Sequence, residues 1–334
     1  MSPIRPWRLS RRCTTGLPQL IASGMLFGTG GILARFLGTT AHVSPLAVAC
    51  YRLAGGGALL LAVLAVGRAR WPRGAAAWRR ITVLSALTAV YQSCYHTSAM
   101  VIPVGLATLI TVGAIPLLVS VLQHVTRQRR MARSVVAAIG LALVGLALML
   151  GVPPTGVGMS TMLVGAGLAA LAALGFAAAN VIMARPVGGL TDLAATGISF
   201  SLGGLLLAPL SLVVGRLVFL PGPAAVVTVV ALAAVPTAIA YPLYYAGLRR
   251  SNATTASVLT LLEPLTGLAL SVVFLGERPR PIVIVGICLL SIALVLAASA
   301  SSRNENRVRD QAQGRTTPLS GTLPVDDPAV GPGC

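Results

Sequence analysis

The feature that most constrains this chain is a series of long apolar runs separated by short polar or basic connections. A helix that crosses the hydrocarbon core of a bilayer needs about 20 mainly apolar residues, and inside lipid only a helix satisfies its backbone hydrogen bonds within one segment. The pattern therefore predicts an all-α integral membrane protein. Ten transmembrane helices are expected, at 17–36, 45–66, 81–100, 102–123, 134–151, 160–183, 193–214, 223–247, 253–275 and 281–300.

Arginine clusters predict how these helices are oriented, because cytoplasmic loops carry the positive excess. The clusters fall on alternate connections, at Arg5 to Arg12, Arg68 to Arg80 and Arg127 to Arg133. We expect a multi-pass protein of the cytoplasmic membrane with both termini in the cytoplasm. The formal net charge of +18 follows from this topology, since no basic helix or basic patch interleaved with aromatics suggests a nucleic-acid partner.

The two ends of the chain differ in composition from the apolar runs. Residues 1–16 are expected to form a basic cytoplasmic N-terminus. Ser10-Arg11-Arg12 before an apolar run is typical of a twin-arginine or secretory signal, but no small-residue cleavage site is followed by a soluble domain, so we expect an uncleaved first helix. Residues 301–334 are rich in Ser, Asn, Arg, Gly and Pro, a composition that buries too little apolar surface to fold. A disordered cytoplasmic tail is predicted there.

An internal repeat divides the apolar part into residues 17–151 and 160–300. The segment Val104–Leu117 resembles Thr254–Leu265 at an offset of 148, which places Pro116 opposite Pro264. Five helices per repeat is an odd number, so the second repeat enters the membrane with the opposite polarity. Two such inverted repeats around a midplane cavity are typical of carriers that work by alternating access.

Several motifs in the second repeat are similar to those of a known family. They are Tyr244-Tyr-Ala-Gly-Leu, Ala253 to Ala256, Leu262-Glu263-Pro264-Leu265 and Phe274-Leu-Gly-Glu277. The chain resembles the EamA family of the drug/metabolite transporter superfamily over roughly residues 18–300. The resemblance implies an exporter of amino acids, other metabolites or drugs without fixing the substrate, and the first repeat departs from the motif with Ile115-Pro116.

Two charged residues lie deep in predicted spans, where a charge costs at least ~2.5 kcal/mol and needs a partner or a function. Glu263 is a candidate for substrate binding or proton coupling, or it binds the backbone freed by Pro264. Arg52 is a candidate for binding a substrate carboxylate or neutralising Glu263, with snorkelling to the headgroups as the alternative. Its counterpart in the second repeat is Phe200.

Further cavity candidates are polar or aromatic side chains within the spans, with an interfacial aromatic belt or interhelical hydrogen bonding as the structural alternatives. They are Tyr91, Gln92, Tyr95, His96, Asn180, Tyr241, Tyr244 and Tyr245.

Other function classes find little support. The cysteines Cys13, Cys50, Cys94, Cys288 and Cys334 have no disulfide or zinc spacing, so we expect free thiols, no metal and no cofactor. No catalytic constellation or phosphate-binding loop with its lysine is present, which argues against an enzyme and an ATP-driven pump. We predict a secondary transporter of small molecules, with proton coupling as a candidate property and no particular oligomeric state. A channel or a membrane scaffold is the alternative.

Overall fold

The computed structural model describes residues 16–68, 71–102, 104–127, 133–150, 158–214, 222–251, 253–276 and 279–296. These residues are helical apart from turns and one isolated bridge between Val187 and Leu190. The predicted basic N-terminus, except Gly16, and the predicted tail 301–334 lie outside the described residues. The helices are α1 (Leu17–Ala41), α2 (Pro45–Val66), α3 (Ala75–Val101), α4 (Val104–Arg127), α5 (Arg133–Leu150), α6 (Met159–Met183), α7 (Asp192–Val214), α8 (Pro223–Ala233), a π-helix (Ala234–Ile239), α9 (Ala240–Arg250), α10 (Ala253–Leu259), α11 (Leu262–Leu275) and α12 (Pro281–Leu296).

The all-helical membrane class is confirmed. Within the described residues, seven helical stretches are long and apolar enough to cross a bilayer, and two shorter apolar helices lie at Val136–Leu148 and Pro281–Leu296. Each of the ten predicted spans contains helix, although α1 and α3 extend beyond the predicted 17–36 and 81–100. The count of ten membrane crossings stays a prediction.

The helices pack in a pattern that relates the two halves of the chain. The contact between α3 and α6 has its counterpart between α1 and α9, and that between α4 and α6 has its counterpart between α1 and α11. The contact between α3 and α7 is likewise matched by that between α2 and α8, while α2 packs on α7. The first four spans of each half therefore meet spans of the other half in corresponding pairs.

Small residues and hydroxyl groups make these close contacts. A Cβ on Gly204 would lie 2.7 Å from Ala54 N, so only glycine lets α7 approach α2 this closely. Ser98 donates to Gly165 O at 2.8 Å and Thr111 donates to Ala169 O at 3.1 Å, which ties α3 and α4 to α6. Such hydroxyl groups do not indicate a functional site in the sequence, because hydrogen bonds between helices explain them.

The eighth predicted span is interrupted by the π-helix, and Pro236 explains why. Proline has no N–H to donate to the carbonyl four residues earlier, and its ring clashes with that carbonyl. Here Thr237 Oγ1 donates to Leu232 O at 3.1 Å and replaces the missing bond. A wide turn lined by a hydroxyl thus lies in the middle of the span.

The ninth predicted span is broken at Thr260 and Leu261, where one continuous helix was expected. Pro264 cannot donate to Thr260 O, which instead accepts from Glu263 N at 2.9 Å. The end of α10 is capped by its own hydroxyls, because Ser257 Oγ donates to Thr254 O and Thr260 Oγ1 donates to Ser257 O, both at 2.7 Å. The chain therefore starts a new helix, α11, at Leu262.

Candidate functional site

The break and the π-helix bring two charged side chains to one interior region. Glu263 lies in the first turn of α11, deep within the protein, yet its side chain keeps part of its surface accessible. Arg52 of α2 is half-buried and acts on it electrostatically. Both side chains are thus incompletely buried, and each keeps part of its surface accessible.

Arg52 is held by the π-helix and not by Glu263. Its Nε donates to Thr237 Oγ1 at 3.2 Å, and its Nη2 donates to Pro236 O at 3.4 Å. Among the described residues no carboxylate oxygen lies within 4.0 Å of the Arg52 guanidinium. A guanidinium has five N–H donors, so Arg52 keeps donors for a ligand while its position is fixed. Snorkelling to a headgroup is not what the side chain does here.

The Glu263 carboxylate is without a hydrogen-bond or ion-pair partner among the described residues. A carboxylate in a low-dielectric interior is costly unless it is paired or protonated. The carbonyl freed by Pro264, Thr260 O, accepts from the backbone N–H of Glu263 at 2.9 Å, so capping there does not involve the carboxylate.

Tyrosines and phenylalanines form the walls around the two charges. Tyr91 and Tyr95 are stacked with ring centroids 6.4 Å apart, and both lie within the electrostatic reach of Arg52 and Glu263. Tyr95 also hydrogen-bonds Thr108 at 2.9 Å, and its ring meets His96 at 5.1 Å. Tyr91, Tyr95 and His96 all keep accessible surface, as cavity-lining side chains would, whereas Gln92 is buried.

The second set of tyrosines is buried in the protein and is not an interfacial belt. Tyr241, Tyr244 and Tyr245 are at most 5% exposed. Tyr241 packs against Phe27 at 4.8 Å, and Tyr91 packs against Phe176 at 5.0 Å, so each half contributes a phenylalanine to the other half's tyrosine. The rings belong to the interface between the halves.

A small cavity of about 10 Å³, room for about one water molecule, lies between these rings. Its walls include Leu87, Thr88, Phe176, Phe200 and Tyr241. Phe200 corresponds to Arg52 by the repeat offset, and Thr88 corresponds to Pro236. The same position thus holds a tethered cation in one half and an aromatic ring in the other.

Asn180 and Tyr244 form an unsatisfied polar pair on the other side of Phe176. The Asn180 amide faces the Tyr244 hydroxyl, but the two groups do not reach hydrogen-bond geometry. Asn180 Oδ1, Asn180 Nδ2 and the Tyr244 hydroxyl have no partner among the described residues. Asn180 is completely buried, so its side chain has no surface accessible to a solute in this conformation.

At one end of the helices, charged groups close the space between α3, α6, α7 and α9. Arg249 forms an ion pair with Asp192, and Arg80 donates to Ile182 O. Asp192 lies at the N-terminus of α7, and Arg249 lies at the C-terminus of α9. Arg80 of α3 reaches the C-terminus of α6, so each charge complements the dipole of the helix end beside it. This end is held together by charge.

Sequence reasoning missed the residues that hold the site together. Thr237 orients Arg52, and Phe27, Phe176 and Phe200 build the walls. The adjacent Pro236-Thr237 in an otherwise apolar run was an available signal. The phenylalanines had none, because an aromatic residue in an apolar span is usually core.

An all-helical interior of this kind, with charges and aromatic rings between paired halves, defines the class of multi-pass membrane transporters. The family model "EamA-like transporter family" matches residues 14–151 and 163–299, and the chain belongs to this family. The resemblance inferred from the motifs is thereby confirmed, including its two repeats.

A curated relative and a solved structure agree with this assignment. The chain is 28% identical over 273 residues to "Uncharacterized transporter YwfM" of Bacillus subtilis (strain 168), which covers 78% of this chain and 88% of the relative. A solved crystal structure superposes with a TM-score of 0.71 over 86% of this chain and 98% of its own, at 19% identity. At that identity the structural likeness concerns the fold alone.

Proposed function

We propose that this protein is a secondary carrier that exports small metabolites by alternating access, with amino-acid-like, organic and drug-like solutes as the candidate classes. The observation that carries the proposal is the pair Arg52 and Glu263. The two charges lie within electrostatic reach of each other, both keep accessible surface, and they are not paired with each other. A solute that carries a charged group can compensate one of them, and a proton can compensate Glu263.

The architecture proposed for this carrier is ten spans in two inverted repeats of five. Support comes from helices at all ten predicted positions and from the corresponding contacts of the two halves. An odd number of spans per repeat inverts the second repeat, and related halves can then exchange conformations to expose the interior to either side.

Arginine distribution supports cytoplasmic termini and a cytoplasmic end that carries the Arg80, Asp192 and Arg249 cluster. Described arginines concentrate at this end, where Arg68, Arg73 and Arg79 are also exposed. The positive-inside rule assigns such an end to the cytoplasm.

Reconstitution of the purified protein into liposomes tests the proposal. A panel of radiolabelled amino acids, organic acids and aromatic amines is offered, and initial flux is measured against concentration. A carrier gives flux that saturates for at least one class, because every transported molecule occupies the site. Flux that rises linearly for every class that crosses would indicate a channel and contradict the proposal.

Proton coupling is a separate part of the proposal and is supported by the unpaired Glu263 carboxylate. An imposed pH gradient should drive accumulation of the transported solute above equilibrium. Accumulation that does not respond to the gradient or to a protonophore would remove the coupling and leave the carrier.

A further inference from the structure

We propose that α10 is a mobile gate, hinged at Thr260 and Leu261 and latched to α4 by Thr254. The proposal relies on the carrier function for its purpose, but the hinge and the latch can be measured without a transported solute. With the orientation proposed above, α10 closes the cytoplasmic end of the interior.

The two halves of the broken span meet α4 differently. Helix α10 packs on α4, whereas α11 makes no comparable contact with α4 among the described residues. Residues 253–261 are all buried, and residues 262–268 all keep accessible surface. Helix α10 is therefore enclosed by its neighbours, whereas the first turns of α11 are not.

The latch between α10 and α4 is small and uncharged. Thr254 Oγ1 donates to Gln123 Oε1 at 2.8 Å and lies 3.3 Å from Ser120 Oγ. Ser120 has one hydroxyl proton and its shorter contact is to Pro116 O at 2.7 Å, so the bond to Gln123 is the main tie. No ion pair joins the two helices in the described part of the chain, so separating them strands no charge in lipid.

The residues next to the helix break also favour a hinge there. The hydroxyls of Ser257 and Thr260 satisfy carbonyls within α10 and its final turn. These bonds move with α10 when it rotates, so the carbonyls of Thr254 and Ser257 keep their donors, and the bond from Glu263 N to Thr260 O is one that crosses the hinge. The backbone hydrogen bonds that would join α10 to α11 are already interrupted at Pro264. Residues 260–261 are therefore where the span bends most easily.

The repeat offset gives an internal comparison for this inference. Ser257 and Thr260 correspond to Leu109 and Val112, which have no hydroxyl, and α4 runs unbroken through Pro116. A proline alone therefore does not break the helix in this protein. The self-capped break is specific to the span that holds the gate.

A cysteine pair tests the gate in a chain whose native cysteines are replaced by serine or alanine. Ser120→Cys and Thr254→Cys place two thiols where the hydroxyls are 3.3 Å apart, within reach of a disulfide. Amide hydrogen exchange of peptides covering 253–261 is measured in nanodiscs, oxidised and reduced. Locking the gate should slow this exchange at least about 10-fold and leave α12 unchanged, because exchange reports local opening.

Flux in liposomes gives the second readout. It is measured with a solute from the radiolabelled panel whose flux saturates with concentration. The oxidised pair should lose flux, and a reductant should restore it, while each single cysteine variant should ignore the oxidant. Thr254→Val should speed exchange of residues 253–261, whereas Thr255→Val, which removes a hydroxyl making no described bond to α4, should not.

Each failure has a distinct meaning. A pair that does not cross-link, exchange that oxidation leaves unchanged, or full flux through the cross-linked protein would each overturn the gate. If no solute saturates in the native protein, the carrier proposal fails, and the exchange measurement still decides whether α10 opens.

Discussion

The fourth and ninth predicted spans have a proline at the same repeat position and differ in the residues just before it. In α4, Pro116 follows Ile115 and the helix continues, whereas in the first turn of α11, Pro264 follows Glu263 and the helix is broken just before it, at residues 260–261. Hydroxyls of Ser257 and Thr260 cap the break in the second repeat only. The comparison teaches that the neighbours of a proline decide whether it bends a membrane helix or divides it.

The largest expected effect concerns the support of the broken span by α1. A Cβ on Gly28 would lie 2.8 Å from Glu263 O and 3.0 Å from Gly267 N, and this backbone has little room to yield. Gly28→Leu should therefore abolish the folded protein, since overpacking costs about 1–3 kcal/mol or more. The measurement is the yield of monodisperse protein in detergent.

Gly31→Leu is the matched control, because a Cβ on Gly31 meets nothing within 4 Å. This variant should give near-native yield. Equal loss in both variants would mean that close packing of α1 on α11 is not what holds the broken span.

The next largest effect concerns Arg52, a charge whose counterpart in the second repeat is the uncharged Phe200. Arg52→Ala should weaken recognition of a carboxylate solute by about 10-fold or more, because a charge-assisted hydrogen bond contributes about 1.5–3 kcal/mol. Competition of a transported carboxylic acid and its primary amide measures the preference. Phe200→Ala, at the corresponding position, should affect both solutes alike, and an equal loss for both in Arg52→Ala would show that Arg52 positions helices only.

The folded class was predictable from this sequence because apolar length and helix formation in lipid are local properties. Helices lie at every predicted position, and both repeats follow from the matching prolines. The break at residues 260–261 was not predicted, since the span Ala253–Phe274 as a whole is as apolar as the unbroken span Pro45–Val66. The hydroxyl caps that accompany the break are visible only in the structure.

The site was predictable only in part. Arg52 and Glu263 stood out because charge in lipid is costly, and the structure brings them into one interior region. Their separation was not predictable, because it depends on Thr237 of another span, which holds Arg52 by tertiary contact. Gln92 and Asn180 are buried away from the accessible surface, which residue type alone does not reveal.

A moderate effect is expected from removing the carboxylate of Glu263, whose counterpart in the first repeat is Ile115. Glu263→Gln keeps the shape and removes the titrating group, so transport should continue while its dependence on pH flattens. Flux is measured across a pH series with the membrane potential clamped. A pH profile identical to that of the native protein would exclude Glu263 as the coupling group.

The smallest effect is expected from the prolines themselves. Pro264→Ala restores an N–H that can bond Thr260 O and partly rejoin α10 to α11, which should slow turnover about 2- to 5-fold, or by about 0.5–1 kcal/mol. Pro116→Ala should change turnover less, since α4 is already continuous. A larger loss in Pro116→Ala than in Pro264→Ala would reverse the comparison between the two spans.

Trans-stimulation tests alternating access most directly. Liposomes are loaded with the labelled solute that saturates, and efflux is timed with and without excess unlabelled solute outside. A carrier returns faster when its site is loaded, so outside solute should accelerate efflux, and cross-linking Ser120→Cys to Thr254→Cys should stop it. Efflux that outside solute leaves unchanged or merely blocks, and that persists in the cross-linked protein, would contradict a carrier gated by α10.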